Sequence, residues 1–230
     1  MELRAEGIRK QFLRKRGDSN VFNAVEKTDI TLSPGTLTVL SGRSGSGKST
    51  LLYMLAGLQT PTEGKVTCDG QDIYAMSDKA LSRFRGEKIG IVPQGQSAVA
   101  SLNVLENILL PQLLGRAKAD LTERALALME ELGIAELKAV MPSELSGGEL
   151  RRAAICRALV NDPEIIFADE PTGDLDDEST KAVMRALRAR AEAGKTVLIV
   201  THDRDVLEYA DRKYTMEKGV VSESRGAEMV

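Results

Sequence analysis

The chain has 230 residues, of which 42% are hydrophobic and 28% are charged, and its formal net charge is −3. This length fits a single domain, and the lack of a basic surplus argues against a nucleic-acid partner. Two cysteines, a polar start and no apolar run near the roughly 20 residues of a membrane helix predict a soluble protein of a reducing compartment.

Strand and helix signals alternate along most of the chain. The first seventy residues favour short strands and therefore an antiparallel β flank. A β-branched strand is predicted at 36–40, and a helix at 49–58 aligns four leucines along one side, namely Leu51, Leu52, Leu55 and Leu58. Later strands are predicted at 89–92, 164–168 and 196–200, and one long helix is predicted at 178–193. This alternation predicts an α/β fold with a mainly parallel sheet.

The segment between the strands at 89–92 and 164–168 has a different pattern. Residues 102–140 are almost entirely helix-forming, and Gly133 is predicted to cap a helix at its C-terminal end. We interpret approximately residues 95–160 as an α-helical subdomain inserted into the α/β core. The whole chain, 1–230, is predicted to be one domain.

A glycine-rich loop follows the strand at 36–40 and precedes the helix at 49–58. Its sequence, GRSGSGKS, matches the phosphate-binding pattern G-x-x-x-x-G-K-[ST], which indicates a P-loop NTPase core. The backbone N–H groups and the following helix N-terminus would cradle a triphosphate. The predicted ATP contacts here are Gly42, Ser44, Gly45, Ser46, Gly47, Lys48, Ser49 and Thr50. Lys48 would neutralise the β- and γ-phosphates, Ser49 would coordinate Mg²⁺, and Thr50 would bind near the α-phosphate.

Two carboxylates and the only histidine follow two of the later strands. Asp169 and Glu170 end the run IIFADE, where the carboxyl edge of the sheet binds ligands. We predict that Asp169 holds Mg²⁺ and that Glu170 polarises the attacking water. His202 follows TVLIV and would reach the γ-phosphate from the neighbouring strand. The alternatives are a surface acidic turn or helix cap before Pro171, and a histidine used only for packing.

A second anion-binding turn is predicted far from the first. The run LSGGE, Leu145 to Glu149, opens a helix that is predicted over 149–160. Two phosphate-binding helix starts in one chain are difficult to explain with one nucleotide pocket. We therefore expect each start to serve a nucleotide held mainly by a second copy, across a two-fold interface.

These motifs, in this order, resemble the ATPase domain of ABC transporters over nearly the full length. LSGGE resembles the family signature (Ser146, Gly147, Gly148 and Glu149), and Gln94 resembles the Q-loop glutamine. Asp176 resembles the D-loop aspartate, and His202 the switch histidine. Phe12 lies where the family places an aromatic residue that stacks on adenine, although a core phenylalanine is the alternative.

The resemblance implies ATP and Mg²⁺ as cofactors, with Gln94 contacting both. It implies catalysis by Glu170, His202 and Lys48, with the signature acting in trans. It also implies a head-to-tail homodimer, an integral membrane permease as partner, and a peripheral position on the cytoplasmic face of the membrane. ATP hydrolysis would then drive export or extraction of a hydrophobic, peptide or lipoprotein cargo.

The runs VLENILLP and ADEPTGDLD resemble the macrolide-efflux, lipoprotein-release and cell-division subgroup. Glu149 stands where glutamine is commoner, and Asp174 where this subgroup usually has asparagine. Residues 95–101 lack the usual apolar and aromatic character, which puts the type of permease in doubt.

Three alternative functions stay open. The first is a membrane-bound ABC ATPase that signals or controls cell-wall hydrolases without moving cargo. The second is a soluble ABC ATPase that acts on DNA or ribosomes, although the chain lacks the tandem domains, long coiled coils and zinc modules typical of those relatives. The third is a small kinase or GTPase, against which LSGGE, His202 and the missing guanine-reading motif Asn-Lys-x-Asp argue.

Overall fold

A computed structural model describes residues 1–13, 21–95, 97–114 and 120–224. The described strands are β1 (Leu3–Leu13), β2 (Val21–Leu32), β3 (Thr36–Ser41), β4 (Glu63–Cys68), β5 (Gln71–Asp72), β6 (Ile89–Val92), β7 (Ile165–Asp169), β8 (Thr196–Thr201), β9 (Arg212–Glu217) and β10 (Val220–Glu223). The described α-helices are α1 (Lys48–Leu55), α2 (Asp78–Lys88), α3 (Val104–Ile108), α4 (Leu110–Leu113), α5 (Thr122–Glu131), α6 (Gly147–Leu159) and α7 (Asp177–Glu192).

The strands form two sheets. A six-stranded sheet has the order β10-β9-β3-β8-β7-β6, and its pairings are parallel except for that of β10 with β9. A four-stranded sheet has the order β2-β1-β4-β5 with antiparallel pairings. The predicted α/β fold, with a mainly parallel sheet and an antiparallel flank, is confirmed.

The parallel sheet is buried on both faces, and alternate residues of its central strands face different halves of the core. Ile166 and Ala168 of β7 pack with the cluster built mainly from α3, α5, α6 and α7. Ile165 and Phe167 pack with the cluster that contains α1 and the antiparallel flank. Since side chains alternate along a strand, one apolar run supplies both halves, which is why β7 and β8 read as unbroken apolar stretches.

The helices α3, α4 and α5 lie in the chain between β6 and β7, where helix was predicted. Gly133 has a φ of +64°, and it follows α5 in the arrangement expected of a helix end. Its N–H donates to the Glu130 carbonyl, and the Ile134 N–H donates to that of Met129. An added Cβ at Gly90 of β6 would lie 2.3 Å from the Ala158 oxygen, so α6 packs closely on the core sheet. The bounds 95–160 of an inserted subdomain stay a prediction.

One leucine of the predicted helix at 49–58 is misplaced. Leu51, Leu52 and Leu55 are fully buried, but Leu58 is 52% exposed. The helix ends at Leu55 because Gly57 takes a φ of +68°. The prediction that the helix extends to Leu58 and aligns it with the other three leucines was therefore wrong. Among the described residues, no helix is long and apolar enough to cross a membrane.

Candidate nucleotide-binding site

The loop between β3 and α1 approaches neighbouring backbone so closely that glycine is required. An added Cβ at Gly47 would lie 2.1 Å from the Ala24 oxygen, and one at Gly42 would lie 2.3 Å from the Met216 oxygen. Gly45 and Gly47 also have positive φ angles of +76° and +109°. The parallel strand β3 thus delivers a tightly turned loop to the N-terminus of α1, a backbone shape suited to phosphate.

The ammonium group of Lys48 lies across this loop. Its Nζ donates to the carbonyl oxygens of Gly42 at 2.7 Å and Arg43 at 3.2 Å, and the residue is buried. The hydroxyl of Ser46 is buried without a hydrogen-bond partner among the described residues. Ser49 and Thr50 are half-buried on the first turn of α1, and Ser44 is exposed at the loop. A cation and an unused donor therefore lie beside the space that a triphosphate would occupy.

Asp169 ends β7 with a buried carboxylate. It is 1% exposed, and neither oxygen has a hydrogen-bond partner among the described residues. Burial raises the pKa of this carboxyl, while the nearby hydroxyls of Ser49 and Tyr53 and the charge of Lys48 lower it. An orphaned buried carboxylate beside a serine hydroxyl offers oxygen ligands of the kind that Mg²⁺ prefers. The residues present fit a magnesium ion.

Glu170 and His202 are brought together by the parallel pairing of β7 with β8, in which Asp169 lies opposite Val200. Glu170 Oε1 is 2.9 Å from Nδ1 of His202. Glu170 Oε2 accepts from the hydroxyl of Thr201 at 2.9 Å and from the His202 N–H at 3.3 Å. The His202 side chain is 70% exposed, so it is not a core residue.

The backbone at Glu170 is also unusual. Its φ is +52°, which costs a non-glycine residue on the order of 1–3 kcal/mol. The Glu170 N–H still donates to the Val200 oxygen at 2.9 Å, and the Gly173 N–H donates to the Glu170 oxygen. The neighbouring structure therefore holds the left-handed conformation and directs the carboxylate toward β8.

Sequence reasoning missed Tyr53 and Thr201. Tyr53 lies four residues after Ser49, and therefore on the same face of α1, where a carboxylate near Ser49 can be reached. Burial raises the pKa of the Tyr53 hydroxyl, the charge of Asp169 also raises it, and a hydrogen bond with the Gln94 backbone lowers it. Thr201 directly precedes His202 and binds Glu170. Both positions were readable from the spacing.

Gln94 is exposed just after β6. The carbonyl oxygen of Pro93 accepts from Nη1 of Arg151 at 2.8 Å, so α6 is tied to the start of this segment. Of the unusual segment 95–101, Gln96 lies outside the described residues. The structure thus connects the Gln94 region both to Tyr53 beside Asp169 and to the helix that LSGGE opens.

Phe12 lies near the end of β1, opposite Phe22 of β2. It is 39% exposed, which excludes the alternative of a core phenylalanine. Lys10 Nζ lies 5.5 Å from its ring centroid. An exposed aromatic ring is available for stacking, and its role toward adenine stays a prediction.

The LSGGE segment contacts different residues from those around the loop. Ser146 caps α6, which begins at Gly147, two residues earlier than predicted. An added Cβ at Gly147 would lie 3.9 Å from Cβ of Asp174, and one at Gly148 would lie 3.2 Å from a methyl of Leu175. Asp176 accepts from the Ser179 N–H at 2.8 Å and so caps α7. Signature and D-loop positions therefore form one surface unit, separate from the glycine-rich loop.

We expect Gly47→Ala to destabilise the protein far more than Gly45→Ala. Both glycines have positive φ angles, and an alanine at such an angle costs about 1 kcal/mol. A Cβ at Gly45 meets nothing within 4 Å, whereas at Gly47 it overlaps the Ala24 carbonyl. Gly47→Ala should therefore lower the free energy of unfolding by about 3 kcal/mol or more. Urea denaturation of both variants measures the difference, and equal losses would contradict the predicted overlap.

Comparisons with known proteins agree with the family resemblance that the sequence motifs indicate. The family model described as "ABC transporter" matches residues 25–173. The lipoprotein-releasing system ATP-binding protein LolD of Aquifex aeolicus is 41% identical over 220 residues, covering 95% of each chain. The macrolide export ATP-binding/permease protein MacB of Chlorobaculum tepidum is 38% identical over 209 residues, which are 91% of this chain but 32% of that protein.

Solved structures of ABC transporter cassettes are also similar to this chain. The dimeric structure of MJ0796, described as a bacterial ABC transporter cassette, has a TM-score of 0.88 and 32% identity, and the match covers 98% of this chain and 100% of that one. A dimeric post-hydrolysis state of the same cassette, bound to ADP and Pi, matches with the same TM-score and coverage.

Proposed function

Because this chain belongs to the ABC transporter family, we propose that it is the ATP-hydrolysing subunit of a transporter, in which two copies pair head to tail on a membrane permease. The similar LolD is named an ATP-binding protein of a lipoprotein-releasing system and matches almost end to end. This supports a cargo that is extracted or exported, such as a lipoprotein, a peptide or a hydrophobic compound. The chain would then bind peripherally at the cytoplasmic face of the membrane.

One observation carries the proposal. The loop at Gly42–Ser49 contacts Ala24, Met216 and Gly219, whereas the signature glycines lie against the D-loop at Asp174 and Leu175. One chain thus presents two separate starts of helices that suit an anion. A head-to-tail pair would bring each signature onto the nucleotide of the other copy, so that both helix N-termini would bind the same phosphate groups. The dimeric state of the similar MJ0796 cassette supports this pairing.

ATP would bind the loop with its adenine against Phe12 and its β- and γ-phosphates near Nζ of Lys48. In releasing Gly42 and Arg43, Lys48 would exchange contacts with two neutral carbonyl oxygens for contacts with phosphate oxygens that carry the opposite charge. Ser49, Gln94 and Asp169 would hold Mg²⁺, which would neutralise charge on the phosphate oxygens. Both oxygens of the buried Asp169 carboxylate lack a hydrogen-bond partner among the described residues, so they are available to a cation.

Glu170 would then orient the attacking water and accept its proton. Thr201 and the backbone N–H of His202 donate to one oxygen of Glu170 and leave its carboxylate fixed in direction. The His202 ring, largely exposed at the same edge, would contact the γ-phosphate. Ser146, Gly147 and Gly148 of the second copy would close over that phosphate, with Asp176 at the interface. Positioning and charge stabilisation supply most of the rate.

ATP would favour the closed pair, and hydrolysis would reopen it. The Arg151 contact to Pro93 joins the signature helix to the Gln94 segment, so a movement of α6 would reach the segment nearest the permease. A ligand can shift such an equilibrium only through its different affinity for the two states, and the γ-phosphate supplies that difference.

The test uses a tagged Glu170→Gln chain expressed in its own cell and trapped with ATP. The chain is captured from detergent-solubilised membranes, and the proteins bound to it are identified. Recovery of a membrane permease in stoichiometric amount, absent from a capture with the untagged chain, supports the proposal. Recovery with ribosomes, with DNA-bound factors or with no membrane protein would contradict the transporter role. A permease joined to cell-wall hydrolases would favour the alternative of signalling without cargo.

A further inference from the structure

The signature serine uses its hydroxyl within its own chain. Ser146 Oγ donates to Glu149 Oε2 at 2.8 Å, and the Ser146 N–H donates to the same oxygen at 2.7 Å. In return the Glu149 N–H donates to Ser146 Oγ at 3.3 Å. A serine hydroxyl carries one proton, so while this ring of contacts holds, Ser146 has no hydroxyl proton for a phosphate.

The acceptor is an ionised carboxylate on the surface that would meet a triphosphate. Hydrogen bonds from the Ser146 N–H and hydroxyl lower the pKa of Glu149, and Arg152 adds to this effect. Arg152 does not point freely at the phosphate space, because Nη1 also donates to the Leu132 carbonyl at 3.3 Å. Asp174 is a further carboxylate beside Gly147. The start of α6 therefore carries acidic charge in addition to its favourable backbone.

We propose that Glu149 is a positioning residue that holds the Ser146 hydroxyl turned back onto its own helix, so that the triphosphate bound by the second copy must displace it before the pair closes. This inference rests on the proposed function and concerns the same composite site. Glu149 raises the ATP concentration needed for closure and favours reopening once the γ-phosphate is cleaved. Hydrogen bonds to a charged acceptor are stronger than those to a neutral one, so displacing a carboxylate costs more than displacing an amide.

Glu149→Gln separates this role from helix capping. The amide oxygen of glutamine still accepts from the Ser146 N–H, so the cap is kept. The negative charge and the strong acceptor for the hydroxyl are both lost. If Glu149 served only as a cap, Glu149→Gln would leave the ATP dependence of the dimer unchanged, because the cap is kept. The proposed role instead predicts a tighter dimer.

The experiment measures ATP-dependent dimerisation in the Glu170→Gln chain by analytical ultracentrifugation over a series of ATP concentrations. We expect Glu149→Gln to lower the ATP midpoint about tenfold. Glu144→Gln is the matched control, because Glu144 also accepts from a backbone N–H three residues earlier, that of Met141, without contacting Ser146. The same substitution at 144 should leave the midpoint within about twofold.

The dependence of this effect on the Ser146 hydroxyl is tested by measuring the ATP midpoint with Glu149 and with Glu149→Gln in a chain that also carries Ser146→Ala. The effect of Glu149→Gln should then shrink to about threefold or less, since only charge repulsion remains. An unchanged or higher midpoint for Glu149→Gln, an equal gain for Glu144→Gln, or a full gain without the hydroxyl would each overturn the inference. Failure of the Glu170→Gln chain itself to dimerise with ATP would instead overturn the proposed head-to-tail function, and the inference with it.

Discussion

Glu170→Gln is expected to retain ATP binding and to lose about 10²–10⁴-fold in turnover. The amide has the size of the carboxylate, and its oxygen can still accept from the Thr201 hydroxyl, so the fold at the end of β7 should persist. What is lost is a group able to accept a proton from the attacking water. Steady-state phosphate release and equilibrium binding of ATP measure the two effects separately.

Glu164→Gln is the matched control for this prediction. Glu164 directly precedes β7, at the opposite end of the strand from Glu170, and its carboxylate lies 3.6 Å from Nζ of Lys195. Removing this charge should leave turnover within about twofold, because Glu164 lies at the far end of β7 from the catalytic carboxylate and a partly exposed ion pair contributes little. Near-normal turnover in the Glu170→Gln chain would remove Glu170 from the catalytic role.

Ser146→Arg is expected to abolish ATP-dependent dimerisation and to lower turnover by about 100-fold or more, while each monomer still binds ATP. Arginine would place a long side chain on the surface that must close over the second copy's γ-phosphate. The site loses the serine hydroxyl, and the longer side chain would occupy space that the closed interface needs. Because Ser146 contacts Glu149 rather than the glycine-rich loop, binding by the single chain should be unaffected.

Ser77→Arg is the control variant for the stability that is lost with a helix-capping serine. Ser77 caps α2 by accepting from the Ala80 N–H, and it is exposed like Ser146. Both substitutions remove a capping serine, which costs about 1 kcal/mol, but only one lies in the signature. Dimerisation is followed by ultracentrifugation and turnover by phosphate release. A fully active, monomeric Ser146→Arg protein would contradict the proposal that the site is shared between two copies.

Residues that are contiguous in the chain were predictable because their chemistry depends on local geometry. The turn of Gly42–Ser49 needs only its glycines and the strand and helix beside it. The apolar runs of β7 and β8 predicted a sheet covered on both faces, and the parallel sheet bears this out. The run Ser-x-x-Glu at 146–149 also signals a capping box, so the contact between Ser146 and Glu149 was readable although it was not read.

The sequence by itself therefore determined the family, the fold class and a set of candidate site residues, since each motif is a short run whose backbone shape follows from its own composition. Only the tertiary structure decided which side chains meet. The pairing of β7 with β8 sets the 2.9 Å contact between Glu170 and His202, and packing buries the carboxylate of Asp169, whose oxygens have no hydrogen-bond partner among the described residues. It also left the signature on a surface apart from the glycine-rich loop. Such contacts join residues far apart in the chain, and their distances depend on how whole elements pack rather than on any local pattern.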